Sequence, residues 1–198
     1  MPHNNSAPPA RVVQPGANGA QEQYGNKVQL AARPVKAPDI LAAARAYARR
    51  GWAVFPCGRD KRPIIKDWPH KATTDQEKIR EWWGRWPDAS IGCPTGPGSG
   101  FWVLDVDLPE GPASLAELED LFGALPPTME QRTGGGGRQL FFRWPEDREV
   151  RNSAGKLGPG LDVRGAGGYV ILPPSGHPSG RRYAWITPAE VAEGVKRD

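Results

Sequence analysis

Beyond residue 38 the apolar positions fall into short blocks of two kinds. Ile40, Leu41, Ala44, Tyr47 and Ala48 recur at helical spacing behind Asp39, whose carboxylate can cap the first turn, and Gly51 ends the block. A second helical block starts at Thr74, runs through Ile79, Trp82 and Trp83, and is closed by Pro87; a third covers about residues 114–122. Strand-like runs lie at 52–56, 101–107, 139–143, 161–164 and 169–172, separated by glycine- and proline-rich segments. The run Gly92-Cys93-Pro94-Thr95-Gly96 leads into a loop, Lys61-Arg62-Pro63 lies on another, and 188–195 has the pattern of the first turns of a helix. Helices interspersed with short strands predict an α+β fold, and no segment repeats another.

Residues 1–37 carry no such pattern. They are rich in Pro, Gly, Ala, Asn and Gln, a composition that buries too little surface to offset the entropy of ordering, so a disordered leader is expected there and one folded domain over 38–198. Composition sharpens this only a little. The formal charge of the 198 residues is +4, but Arg11, Lys27, Arg33 and Lys36 against Glu22 place most of that surplus in the leader, so bulk charge does not argue for nucleic acid. Cys57 and Cys93 are too few for a cysteine-rich zinc site, no signal peptide is evident, and no run reaches the roughly 20 apolar residues of a membrane helix. A cytoplasmic protein without a membrane partner is expected.

The chemistry concentrates at strand ends. Trp102-Val103-Leu104-Asp105-Val106-Asp107 is an apolar strand finishing in two carboxylates one residue apart. Side chains alternate across a strand, so Asp105 and Asp107 share a face while Leu104 and Val106 point into the core. Two carboxylates held together repel unless a cation offsets them, and Mg²⁺ or Mn²⁺ prefers such oxygen ligands. Taken alone, Asp-x-Asp equally describes two solvated acids at a strand end. Downstream, Gly134-Gly135-Gly136-Gly137-Arg138 precedes a strand; glycines let backbone N–H groups approach an anion, and Arg138 adds a charge suited to phosphate, although a glycine run also makes a plain turn. A third segment, Leu161-Asp162-Val163-Arg164, sets Asp162 and Arg164 opposite the core-facing Leu161 and Val163, either as a further acid site or as a structural ion pair.

Adjacent strands could bring Asp105, Asp107 and Asp162 to one surface beside the glycine loop, as two-metal phosphoryl transfer requires. No side-chain nucleophile is needed, and neither cysteine has a base partner. Trp82, Trp83 and Trp86 sit at helical spacing and read as packing rather than base stacking. Lys61 and Arg62 form a local basic loop that could touch template phosphates.

Over these residues the chain resembles the N-terminal domain of bifunctional DNA primase/polymerases, a branch of the archaeo-eukaryotic primase superfamily found in plasmids, phages and integrated elements. The resemblance spans about residues 42–185. It rests on Gly51-Trp52-Ala53-Val54-Phe55-Pro56, Lys61-Arg62-Pro63, Trp82-Trp83, Ile91-Gly92-Cys93-Pro94-Thr95-Gly96, Leu104-Asp105-Val106-Asp107, the glycine run, Leu161-Asp162-Val163-Arg164-Gly165 and Gly168-Tyr169-Val170-Ile171-Leu172-Pro173-Pro174-Ser175. It implies a catalytic core like that of an RNA-recognition motif, an antiparallel or mixed sheet flanked by helices. It also implies Asp105, Asp107 and Asp162 as catalytic metal ligands for Mg²⁺ or Mn²⁺, nucleoside triphosphates and a DNA template and primer as partners, and a helicase as a possible companion.

In that family a histidine normally follows Gly-Gly-Arg and contacts the phosphates of the incoming nucleotide; here Gln139 stands in its place. Gln139 can donate hydrogen bonds but cannot become cationic. The nucleotide-binding set implied is therefore Gly136, Gly137, Arg138, Gln139 and Arg164, with His177 in the loop after Pro173-Pro174-Ser175-Gly176 and Ser175 placed to bind a phosphate beside it. Two further readings stay open: a replication-associated binding module without turnover, and a sugar-nucleotide transferase using Asp-x-Asp for metal.

Overall fold

The structure, a computed structural model, describes residues 39–186. The expected leader and the helix at 188–195 lie outside the described residues.

The chain enters through α1 (Ile40–Arg49), capped as expected by Asp39, whose Oδ1 accepts from the Ala42 amide at 2.9 Å. The buried residues of α1 are Ala44, Tyr47 and Ala48, and it packs on α3 (Gln76–Arg85), which buries Ile79, Trp82 and Trp83. The cap of α3 is Asp75 rather than Thr74: its carboxylate accepts from the Glu77 and Lys78 amides, while the Thr73 hydroxyl accepts from Asp75 itself. The short α2 (Trp68–Lys71) lies between them, and α4 (Gly111–Phe122) begins three residues earlier than the apolar pattern indicates, with Pro112 in its first turn.

Two antiparallel sheets carry the rest. The smaller has the order β1 (Phe55–Cys57), β2 (Ser90–Pro94), β8 (Tyr169–Leu172). The larger runs β6 (Ser153–Ala154), β7 (Leu161–Arg164), β3 (Phe101–Val106), β5 (Arg138–Arg143), β4 (Met129–Arg132), β9 (Ala184–Trp185). Helices and strands thus form the α+β fold expected.

Alternation along β3 explains how the layers meet. Leu104 and Val106 join Leu115, Leu140, Leu161 and Val163 in one apolar cluster, on the face that contacts α4. Phe101 and Val103 face the opposite way, into a larger core shared with Trp52, Phe55, Ile91, Phe141 and Leu172. Trp52 anchors that core, its ring 4.9 Å from that of Phe101 and stacked parallel to that of Phe141. Trp82 and Trp83 of α3 are buried packing residues, and Trp86, its C-cap, packs against the same core. Asp105 belongs to the face of Phe101 and Val103, so it points into the space between the sheets rather than into bulk water. No helix among the described residues is long and apolar enough to cross a membrane.

Candidate active site

The register of the larger sheet sets a row of polar residues side by side. Gln131 on β4 pairs with Gln139 on β5, Gln139 with Asp105 on β3, and Asp105 with Asp162 on β7. All four side chains project from the same face, and three are nearly sealed from solvent: Gln131 at 0%, Gln139 at 6% and Asp105 at 6% exposure. Asp107, just past the end of β3, is exposed.

A cavity of about 370 Å³ opens over this row; Asp105, Asp107, Gln139 and Arg164 line it from the larger sheet, and β8 walls it opposite. Lys61 and His177 complete its rim. Burial pushes the Asp105 carboxyl up to about 6, and the Asp107 charge pushes the same way; the Gln139 amide and the Arg164 guanidinium pull it down. Asp105 Oδ1 is buried with no hydrogen-bond partner, while Oδ2 lies 3.5 Å from Arg164.

Asp162 pairs with Asp105 across β3 and β7 but does not line the cavity, and its carboxylate is engaged. Its Oδ2 accepts from Arg164 at 2.9 Å and its Oδ1 from the Gly155 amide at 3.0 Å. The guanidinium therefore stands between the two facing aspartates, and among the described residues no three Asp, Glu, His or Cys side chains are arranged as a metal cage. A divalent ion nevertheless fits the donor set at Asp105 and Asp107: hard oxygens, a buried one without a donor, and mutual repulsion for a cation to relieve.

The glycine run forms the hairpin between β4 and β5, closed by Thr133 N–H to Gly137 O at 2.9 Å and Gly136 N–H to Thr133 O at 3.0 Å. Gly135 lines the cavity, whereas a Cβ on Gly137 would come within 2.6 Å of the Val106 carbonyl and press on Asp107. Gly137 is thus required by close approach. Gly136 turns away, toward Leu108.

Two expected ligands, Arg138 and Ser175, are placed elsewhere. Arg138 is the first residue of β5, one step from Gln139, so it projects from the opposite face; there it makes a bidentate pair with Glu130, both contacts at 2.7 Å. Ser175 is fully buried and its hydroxyl accepts from the Ile91 amide at 2.8 Å, which makes it a structural tie between the Pro173-Pro174 turn and β2. Arg62, expected as a possible DNA contact, is exposed near Asp60, and its neighbour Lys61 lines the cavity. Lys61 adopts φ 70, a left-handed conformation rare for a side-chain-bearing residue, and its carbonyl accepts from the Tyr169 hydroxyl at 3.1 Å.

Other contributors carry no motif signal. Arg181 donates to the carbonyls of Gly134 and Gly135 at 2.8 and 3.1 Å and so braces the hairpin. Ser179 ties His177 to the same loop, its amide donating to Nδ1 at 3.1 Å and its hydroxyl to Gly134 O at 2.7 Å. Partial burial and the charges of Lys61 and Arg181 hold the His177 imidazole below its ordinary pKa. Tyr183, Thr133 and Asn152 also line the cavity. Burial and the Asp105 and Asp107 charges keep the Tyr183 phenol protonated.

A search of curated proteins finds no match. The model of the Prim-Pol family, described as bifunctional DNA primase/polymerase, N-terminal, matches residues 44–194, well over half of the chain and the whole of the site. The chain belongs to the Prim-Pol family of bifunctional DNA primase/polymerase N-terminal domains.

Proposed function

We propose that this domain is a divalent-cation-dependent nucleotidyltransferase that adds nucleotides from nucleoside triphosphates to a primer on a DNA template. The observation that carries the reading is the buried, unpartnered Asp105 Oδ1 beside Asp107 on the floor of the cavity. An anionic oxygen withdrawn from water without a donor calls for a cation or a proton. Asp105, Asp107 and Asp162 would hold Mg²⁺ or Mn²⁺, which when bound polarises phosphoryl oxygens and activates the attacking hydroxyl.

The remaining work falls to residues already in place. Burial holds Asp105 within the site, and Arg164 neutralises the Asp105–Asp162 pair, a role that a bound cation would take over. Lys61 and the Gly135 backbone line the cavity, and both are suited to a polyphosphate. Gln139 donates to that polyphosphate as a neutral amide. Absence of a cationic group there weakens stabilisation of transition-state charge by about 2–4 kcal/mol, roughly a hundredfold to a thousandfold in rate.

Gln139 also favours a second reading, in which the domain binds nucleotide or DNA but turns over little. Incorporation of dNTPs on a primed template with Mn²⁺ separates the two. Activity of the native chain that vanishes in Asp105→Ala supports the transferase; activity that emerges only in Gln139→His supports the binding module; activity indifferent to Asp105 refutes both.

A further inference from the structure

Gln131 lies in the core, fully buried, and donates through Nε2 to two acceptors: the backbone carbonyl of Ile171 at 2.7 Å and Oε1 of Gln139. Its own Oε1 is buried without a partner. A buried glutamine with one end doubly used and the other unused costs stability unless its orientation serves something else.

The polarity of this chain of bonds is forced from its far end. A backbone carbonyl only accepts, so the Gln131 atom facing Ile171 O must be the NH₂. That NH₂ also faces Gln139, so the Gln139 atom opposite must be its oxygen. The Gln139 NH₂ is then turned the other way along the row, toward Asp105 and the cavity. Reversing the Gln139 amide would set two NH₂ groups against each other, and reversing both amides would set Gln131 Oε1 against Ile171 O.

We propose that Gln131 is a positioning residue that locks the Gln139 amide with its N–H groups presented to the active site. Resting on the cavity as a nucleotide site, this makes the bound polyphosphate the acceptor those N–H groups serve. Gln131 touches no ligand. It converts an amide able to present either end into a fixed donor.

The test uses Gln131→Met, which keeps the volume and removes the donor, together with Gln139→Met and the double variant in the same full chain. Expected in Gln131→Met is a Gln139 side-chain ¹H–¹⁵N amide pair that loses protection from exchange and moves toward the position of free glutamine. Affinity for dATP with Mg²⁺ falls about tenfold, the scale of one hydrogen bond, with no further loss in the double variant. A merely structural Gln131 would lower the melting temperature but leave the Gln139 resonances in place and its effect additive, which overturns the proposal. Should Gln131→Met not fold, nuclear Overhauser contacts in the native chain decide: Gln139 amide protons close to Asp105 support the lock, and amide protons directed at Gln131 overturn it. A native chain that binds no dATP would refute the nucleotide reading, while the resonance and Overhauser results still judge the orientation of Gln139.

Discussion

Asp105 and Asp162 sit directly opposite each other on β3 and β7, and the Arg164 guanidinium reaches both, 2.9 Å from Asp162 Oδ2 and 3.5 Å from Asp105 Oδ2. Arg164 thereby occupies the position of a compensating cation. Arg164→Ala should destabilise the metal-free protein by roughly 1–3 kcal/mol, since it leaves two facing carboxylates uncompensated. Added Mn²⁺ should restore more of the melting temperature in the variant than it adds to the native protein. Thermal unfolding with and without Mn²⁺ checks this; equal metal effects on the two proteins would argue against an exchange of cations.

Asp105 makes stability depend on pH in the direction opposite to that of a salt-bridged carboxylate. Its folded pKa of about 6 lies above its ordinary value of 3.8. Between those values the folded chain keeps a proton that the unfolded chain has released, so stability falls as pH rises through the window and levels off above it. The cost at neutral pH is about 3 kcal/mol. Asp105→Asn should therefore be more stable than the native metal-free protein at pH 7.5, by roughly 1–3 kcal/mol, while losing nucleotide incorporation. Denaturant unfolding at pH 4.5 and 7.5 reads the difference, which should shrink at the lower pH.

Two basic residues of similar promise differ in placement: Arg138 projects from the face of β5 away from the cavity, whereas Lys61, on the loop after β1, lines it. Arg138→Ala should leave dNTP affinity unchanged and cost at most about 1 kcal/mol of stability, because its guanidinium serves Glu130. Lys61→Ala should weaken affinity about tenfold. Titration of the two variants with dATP and Mg²⁺ gives the comparison.

Ser175 illustrates a loop serine whose role is burial. Ser175→Ala should destabilise the domain by about 1–3 kcal/mol by leaving the Ile91 amide unpaired, with KM for dNTP unaltered. A raised KM at undiminished stability would return Ser175 to the phosphate site.

The shared face of Asp105 and Asp162 is legible in the sequence because strand alternation is rigid. Once 101–107 and 161–164 are read as strands, Asp105 and Asp162 must oppose the apolar residues between them, and the structure places both on one face. The same rule explains the failure at Arg138: starting β5 at Gln139 leaves Arg138 in the loop, whereas a strand that begins one residue earlier turns it to the opposite face. β2 was hidden because glycine and proline argue against a strand. Gly92 is there for space, since a Cβ would stand 2.6 Å from the Phe55 ring, and β2 joins β1 to β8. Gln131 gave no signal at all, its function depending on the carbonyl of Ile171, distant in sequence and brought close only by the packing of the two sheets. The Asp105 burial was likewise out of reach, because alternation assigns a face but does not say what covers it.

The most direct test of the proposed chemistry is calorimetric titration of Mn²⁺ into the domain with a non-hydrolysable dNTP present, for the native chain and Asp105→Asn. Binding of the ion in the native protein that is lost in Asp105→Asn, at retained or higher thermal stability, is the predicted result. Equal Mn²⁺ affinity in the two proteins would contradict it, by showing that the buried aspartate does not hold the ion.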